Sequence, residues 1–348
     1  MRRRLKAKAT PIPEPEFIPP MQAKLVRTLP EGPDWIYEIK WDGYRVEAIK
    51  HDDTIKLISR NAKSLSGDFP EVLDAVRGTN AHTSVMDGEV VALDERGRPS
   101  FQALQHRRAL AAGHRLVYFA FDLLNLNGKD LRDVPLQIRK EELAKLVAGS
   151  RVQLSADLKG DPAIIIEAIK GADLEGVVAK RRDSRYEPAN RSGAWVKVQF
   201  KRQQEFVIGG YKPEGDSFSS IAVGYYDNGK LMFAGKVRGG FNAHSRRELL
   251  KVMKPFRVAK RHRARENVRR GEFFECPFAN LPSSKTGHWG EGMTVEQMDE
   301  IQWLKPKLVA QVKFTEWTKD GHLRHADFLG LRVDKSPTEV VREQPTSP

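Results

Sequence analysis

What most limits the folds open to this chain is a rhythm of short strand-like runs broken by turn residues. Residues 35–39, 44–49 and 54–59 are rich in β-branched and aromatic side chains, and Asp42-Gly43 between the first two is a hairpin signal. Helical periodicity follows at 70–76, 101–112, 139–148 and 162–172, interleaved with strand patterns at 85–93, 115–122, 176–180 and 195–200. Strands this closely spaced pair mainly antiparallel, so an α+β domain is expected over residues 21–202.

Beyond Arg202 the helices nearly vanish. Residues 205–211, 221–226, 231–237, 309–317 and 323–331 are strand-like, with one helical stretch at 245–253. Five strands and one helix over residues 203–335 point to a small barrel, for which the oligonucleotide-binding (OB) fold is the commonest five-stranded form. Residues 1–20 are basic and proline-rich, and are expected to form a flexible arm; residues 336–348 are expected to form a polar tail. The single cysteine, Cys276, excludes an internal disulfide and a cysteine-cluster zinc site, so a reducing interior is expected. No run approaches the roughly 20 apolar residues that cross a bilayer, and no membrane partner is expected.

Charge narrows the partners. There are 59 Lys and Arg against 46 Asp and Glu, a net of +13. The excess concentrates between Lys236 and Arg270, where 13 basic residues face two acids. Such density suits a polyanion, and Arg246, Arg247, Lys260, Arg261 and Arg263 are candidate DNA contacts. A solvated basic loop without a partner is the alternative.

The sharpest local feature is Glu38-Ile39-Lys40-Trp41-Asp42-Gly43-Tyr44-Arg45, where a strand delivers a lysine into a turn. Lys40 can project its amine into a cleft while Gly43 lets backbone and ligand approach. As a nucleophile it must shed a proton, which burial, nearby positive charge or a metal ion would assist. As a surface residue it would simply pair with Asp42, and the K-x-D-G spacing by itself leaves both readings open.

Further segments follow in order: Ser59-Arg60-Asn61; Asp87-Gly88-Glu89-Val90-Val91; Phe119-Ala120-Phe121-Asp122-Leu123-Leu124; Glu175-Gly176-Val177-Val178-Ala179-Lys180; Trp195-Val196-Lys197-Val198-Gln199; and Arg324 through Lys335. With the K-x-D-G-x-R segment, this series resembles the covalent nucleotidyltransferases, and most closely the ATP-dependent DNA ligases of bacterial end joining, over about residues 20–335. The resemblance implies a nucleotidyltransferase (ATP-grasp-like) adenylation domain followed by an OB barrel. It also implies ATP as cosubstrate with Mg²⁺ or Mn²⁺. Lys40 would take AMP from ATP, pass it to a DNA 5′-phosphate, and release it when a 3′-hydroxyl seals the break.

The same resemblance assigns roles. Glu38 would accept from the adenine amino group, and Phe121 would stack on the base. Arg45 and Arg60 would contact sugar and phosphate, Arg60 also the DNA 5′-phosphate. Glu89 and Glu175 would flank the ribose and a divalent ion, and Lys180 would add charge toward the phosphates. Lys197 would meet the α-phosphate; the family's second lysine of that segment is absent, and Gln199 stands in its place. Arg332 and Lys335 would orient pyrophosphate from a second domain that swings over the nucleotide.

An RNA ligase or capping-type nucleotidyltransferase is a rival within the enzyme class, and a non-catalytic nucleic-acid-binding protein is a rival outside it. Glu38, the W-x-K segment and the Leu-Arg-x-Asp-Lys ending favour DNA ligase. About 35 residues precede Glu38, so no large DNA-encircling domain is expected ahead of it. Expected partners are nicked or broken duplex DNA and, by family alone, the Ku end-binding protein and an end-joining polymerase. The expected setting is a monomer in the bacterial cytoplasm, at the nucleoid.

Overall fold

The computed structural model describes residues 13–105, 113–201, 203–258, 276–281 and 293–343. The chain divides into two compact units, the first ending at Gln199 and the second beginning at Phe200.

The first unit holds strands β1 (Lys24–Leu25), β2 (Trp35–Lys40), β3 (Tyr44–His51), β4 (Thr54–Ser59), β5 (Thr83–Leu93), β6 (Arg115–Leu126), β7 (Lys129–Asp130), β8 (Gln153–Leu154), β9 (Gly176–Arg181) and β10 (Trp195–Gln199). Helices α1 (Pro70–Arg77), α2 (Phe101–Gln105), α3 (Leu136–Val147) and α4 (Pro162–Gly171) lie among them. Two sheets form, in the orders β1-β10-β9-β2 and β4-β3-β5-β6-β7, the second extended by β8 beside β6. Every long pairing is antiparallel, as the spacing of the runs predicts.

A core of Met21, Ile36, Ile49, Val85, Leu124, Leu136, Tyr186 and Trp195 draws residues from both sheets, so these sheets pack face to face. Beside it lies a fully buried ion pair. Arg139 of α3 grips both carboxylate oxygens of Asp122 on β6, at 2.7 and 2.8 Å, and donates to the carbonyls of Val134 and Ser184. This arrangement pins the helix and the 182–186 loop to the strand that carries Phe121.

The second unit contains β11 (Gln203–Glu214), β12 (Ser217–Asp227), β13 (Lys230–Val237), α5 (Ala243–Met253), α6 (Val295–Asp299), β14 (Gln302–Lys313), β15 (Glu316–Trp317), β16 (Leu323–Arg324) and β17 (Asp327–Leu331). Its main sheet runs β13-β12-β11-β14-β17. The chain just beyond β13 then meets β17 through a parallel bridge of Gly239 with Asp327, which curls the sheet back on itself. The interior is filled by Phe206, Ile208, Tyr211, Phe218, Val223, Leu304 and Phe328, among others. Five strands, curled closure and one covering helix make this the expected OB-type barrel.

Local expectations needed revision. The run 309–317 does not continue as one strand: β14 begins at Gln302, stops at Lys313, and Glu316–Trp317 turn aside to pair with Leu323–Arg324. The 323–331 run breaks likewise at His325, whose φ of 49° is left-handed and cannot continue a strand. Helix α2 is described only to Gln105, and the rest of the expected 101–112 helix lies outside the described residues. The short helix α6 has no counterpart in the sequence reading.

The first and last described stretches are better anchored than their composition suggests. Phe17 and Ile18 pack on the core of the first unit, and the Ile18 amide donates to Glu47 at 2.9 Å. At the other end Val340 is buried, its carbonyl accepts from the Tyr226 amide, and Gln204 donates to the Val341 carbonyl. Residues 1–12 and 344–348 lie outside the described residues.

Candidate active site

Three adjacent strands build the site. Lys40 on β2 stands opposite Gly176 on β9, which stands opposite Gln199 on β10; one step inward, Glu38 stands opposite Val178 and then Lys197. Because side chains alternate along a strand, Ile36, Glu38 and Lys40 share one face. Ile36 and Glu38 are each only 2% exposed, while the Lys40 side chain is 19% exposed, so the row climbs from the core toward an opening. Gly176 is required at the centre of the outer row, since a Cβ there would lie 2.0 Å from the Val198 carbonyl oxygen. Gly43 is required for the same reason, with the Val90 carbonyl oxygen 2.1 Å from its would-be Cβ.

Lys40 is ion-paired with Glu175. Its ammonium lies 2.5 Å from Glu175 Oε1, and Gln199 Nε2 donates to that same oxygen at 3.0 Å. Burial opposes the lysine's charge, but Glu175, with Asp42 and Glu89, outweighs it and holds the ammonium above lysine's ordinary range. The residue that departs from the family pattern, Gln199, is therefore a neutral donor to the carboxylate that holds Lys40.

Glu38 is clamped between two ammonium groups. Lys140 of α3 reaches Oε1 at 2.6 Å and Lys180 of β9 reaches Oε2 at 3.0 Å. Lys140 also lies 2.9 Å from Asp157 and donates to the Ser155 carbonyl at 3.2 Å. Lys180, read from sequence as charge for the phosphates, is instead buried against Glu38, with its ammonium 4.3 Å from the ring centres of both Phe121 and Trp195. Burial lowers the affinity of Lys180 for its proton, and the charge of Lys140 adds to that effect.

The facing sheet supplies the rest. Arg45, Glu89 and Phe119 lie across from one another on β3, β5 and β6. Arg45 places a two-pronged grip on Asp87, at 3.0 and 2.6 Å, and its guanidinium lies 5.4 Å from the centre of the Phe121 ring. Asp87 also accepts from Tyr186 at 2.6 Å. Phe121 meets Trp195 edge to face. Arg60 follows β4 in a tight loop where Ala62 takes a φ of 57°, and it is half-buried.

In the second unit Arg332 and Lys335 share a counter-ion. Arg332 grips Asp334 through two 2.8 Å bonds and lies 3.5 Å from Glu205, while Lys335 lies 3.2 Å from the same Glu205 oxygen. Of the basic segment, Arg246 is engaged locally: it donates to the Phe218 carbonyl and lies over the Phe218 and Phe241 rings. Arg247 is exposed on α5. Lys260, Arg261 and Arg263 lie outside the described residues.

Within the first unit, then, Lys40, Glu175, Gln199, Glu38, Phe121 and Arg45 gather along two facing sheets. Sequence reasoning missed Lys140, Asp157, Tyr186 and Glu205. Lys140 carries no signal in the sequence, where it is one more polar residue of a helical run.

Comparison with known proteins places the chain in a family. Residues 20–199 match the family described as ATP dependent DNA ligase domain, and residues 214–335 match its ATP dependent DNA ligase C terminal region. The multifunctional non-homologous end joining protein LigD of Pseudomonas aeruginosa is 34% identical over 345 residues, covering 97% of this chain. The chain spans only 38% of that protein's length. DNA ligase C1 of Mycolicibacterium smegmatis is 31% identical, with 95% of each chain covered. Among solved structures, a mycobacterial DNA ligase D complexed with ATP and MES has a TM-score of 0.61 at 31% identity, covering 92% of this chain and 98% of that one. The chain belongs to the ATP-dependent DNA ligase family, with a nucleotidyltransferase domain followed by an OB-fold domain.

Proposed function

We propose that this chain seals breaks in duplex DNA through a lysyl-AMP intermediate on Lys40, in the repair of broken ends. The observation that carries the reading is the row Lys40, Gly176, Gln199, with Glu175 holding the lysine's ammonium and Glu38 one step inward. Once deprotonated, Lys40 Nζ attacks the α-phosphorus of ATP; the new N–P bond forms as the bond to pyrophosphate breaks, and AMP stays on the amine. A DNA 5′-phosphate oxygen then displaces the lysine to give an adenylated end. The neighbouring 3′-hydroxyl attacks the phosphorus of the DNA 5′-phosphate, and the phosphodiester forms as the bond from that phosphorus to AMP breaks and AMP leaves.

Each transfer concentrates negative charge on a phosphoryl group, so cations and oriented donors matter more than covalent assistance. Lys197, one row inward from Gln199, supplies charge at the α-phosphate, and Gln199 orients Glu175. Phe121 and Glu38 receive the base by stacking and by a hydrogen bond from its amino group, and Arg45 serves the sugar side. Arg60 serves the DNA 5′-phosphate, and Arg332 with Lys335 serve pyrophosphate departure.

Among the described residues no group of three or more His, Cys, Asp or Glu side chains could hold a metal unaided. Mg²⁺ is usually held by one or two carboxylates together with substrate phosphates, and Glu175 and Glu89 fit that donor set for Mg²⁺ or Mn²⁺. When bound, such an ion supplies positive charge beside the transferring phosphoryl group.

The name of the Pseudomonas relative supports end joining as the setting; Ku and an end-joining polymerase as partners, and the bacterial nucleoid as the place of work, belong to the proposal through the family resemblance alone. Among the described residues no helix is long and apolar enough to cross a membrane. Arg247 and the basic segment to Arg270 provide DNA contacts, and the chain acts as a monomer.

The test is intact-protein mass spectrometry after stripping with pyrophosphate and loading with ATP and Mg²⁺ or Mn²⁺. The native chain gains one AMP, loses it when nicked duplex is added, and yields joined DNA; Lys40→Ala gains none. A folded native chain that acquires no adduct with either metal overturns the proposal.

A further inference from the structure

We propose that Lys140 is a positioning residue that fixes Glu38 for reading the six-position of the purine, and so sets the preference for adenine over guanine nucleotides; this rests on the reading of Glu38 given above. Four charges meet in a nearly sealed space. Lys140 is 7% exposed, Lys180 2% and Glu38 2%, and only Asp157, 27% exposed at its side chain, approaches solvent. The two buried ammonium groups are matched by two carboxylates, and on the solvent side the exposed Lys159 lies 3.7 Å from Asp157 as well.

The geometry of the cluster is more specific than charge matching needs. Lys140 and Lys180 take different oxygens of Glu38, so the plane of the carboxylate cannot rotate without breaking one of the two bonds. The second tie of each lysine differs. Lys180 rests against the Phe121 and Trp195 rings, its ammonium 4.3 Å from each centre, and donates to the Phe121 carbonyl at 3.5 Å. Lys140 is anchored from outside the strand pair by Asp157 and the Ser155 carbonyl. That anchor reaches the base-stacking strand too, since the Ser155 amide donates to the Ala120 carbonyl, next to Phe121. Lys140 thereby ties the carboxylate on one sheet to the aromatic strand on the other.

A carboxylate held this way offers fixed lone pairs. An amino group at the purine six-position donates to it, whereas a carbonyl there would set acceptor against acceptor and leave a buried group unmatched, a mismatch that gives strong discrimination. A carboxylate freed on one side can turn, and both the attraction and the rejection weaken. Removing a buried ion pair merely to fill space would be nearly neutral when the replacement packs well, so discrimination between nucleotides separates positioning from bulk packing.

The experiment measures single-turnover adenylation of the full chain with ATP and with GTP, in the native protein, Lys140→Met, Lys140→Arg and Glu38→Gln, each checked by thermal unfolding. For Lys140→Met we expect the ATP concentration at half-maximal rate to rise about tenfold while the maximal rate stays within about threefold, and the ATP-to-GTP preference to fall at least about tenfold. Lys140→Arg, which retains a cation, recovers most of the preference. A folded Lys140→Met with native half-saturation and preference overturns the proposal, provided Glu38→Gln changes both. If Glu38→Gln also leaves the preference untouched, the reading of Glu38 fails first. Should the methionine variant not fold, Lys140→Gln keeps a neutral donor to Glu38 and takes the same measurement with the same expected directions.

Discussion

At the scale of single residues the first unit concentrates charge where it is most costly to keep. The Asp122–Arg139 pair is fully buried, Glu38 sits between two lysines, and Arg45 closes on Asp87. Glu47 differs from all of these, since it has no cation gripping it and its carboxylate accepts only the Ile18 amide among the bonds the structure gives it. Burial, with Asp87 nearby, pushes its carboxyl up to about 8 from an ordinary 4.5. In that interval the folded protein binds a proton that the unfolded chain has released, so stability falls as pH rises from about 4.5 to about 8 and is level above it. Glu47→Gln keeps the acceptor and removes the titration. We expect denaturant midpoints of the variant to lose this slope and its stability to exceed the native by about 1 kcal/mol or more at pH 9; parallel curves for the two proteins would refute the assignment.

At the scale of elements, the site depends on how closely β2, β9 and β10 approach. The Lys40–Gly176–Gln199 row brings the backbone of β10 to the place a Cβ of residue 176 would occupy. Gly176→Ala must push β10 away or twist β9, at a cost of about 1–3 kcal/mol. It also shifts Gln199 relative to Glu175, so adenylation should fall by more than the stability loss explains. Urea unfolding together with single-turnover adenylation measures both effects. A variant of native stability and rate would mean that β9 and β10 are less closely coupled than their register indicates. Hairpin β15–β16 shows the same principle from the other side, because the two runs predicted as single strands break, the first after Lys313 and the second at His325, which takes a left-handed conformation.

At the scale of the molecule, a net charge of +13 with a basic stretch ending at Arg270 predicts strongly salt-dependent DNA binding. If the chain neutralises at least about five phosphates, the logarithm of its affinity for nicked duplex falls with that of salt at a slope of about −4 or steeper. Replacing Lys260, Arg261 and Arg263 together by alanine should reduce the slope by about one for each phosphate that is no longer neutralised. Fluorescence anisotropy across a salt series measures this, and a flat native dependence would remove the basic segment from the DNA interface. Arg246 is a poor candidate for that series, since its packing on Phe218 and Phe241 makes it part of the domain's structure.

The sequence by itself suggested most of the strands and helices and a change of pattern near residue 202, and its ordered segments, through the family they resemble, singled out Lys40, Glu38, Glu89, Glu175, Phe121 and Lys197 as candidates. Those features live in local periodicity and in short segments whose residues are near neighbours along the chain, and such information survives without coordinates. Only the tertiary structure decided which charge answers which. Lys140 and Glu38 are 102 positions apart, Tyr186 and Asp87 are 99, and Gln199 and Glu175 are 24. Strand register and the docking of α3 bring them within hydrogen-bond reach, and the free energy of burying a charge then selects the partner. The same reason explains the tail, which reads as polar in composition yet is held by the buried side chain of Val340 and by backbone groups that no composition records.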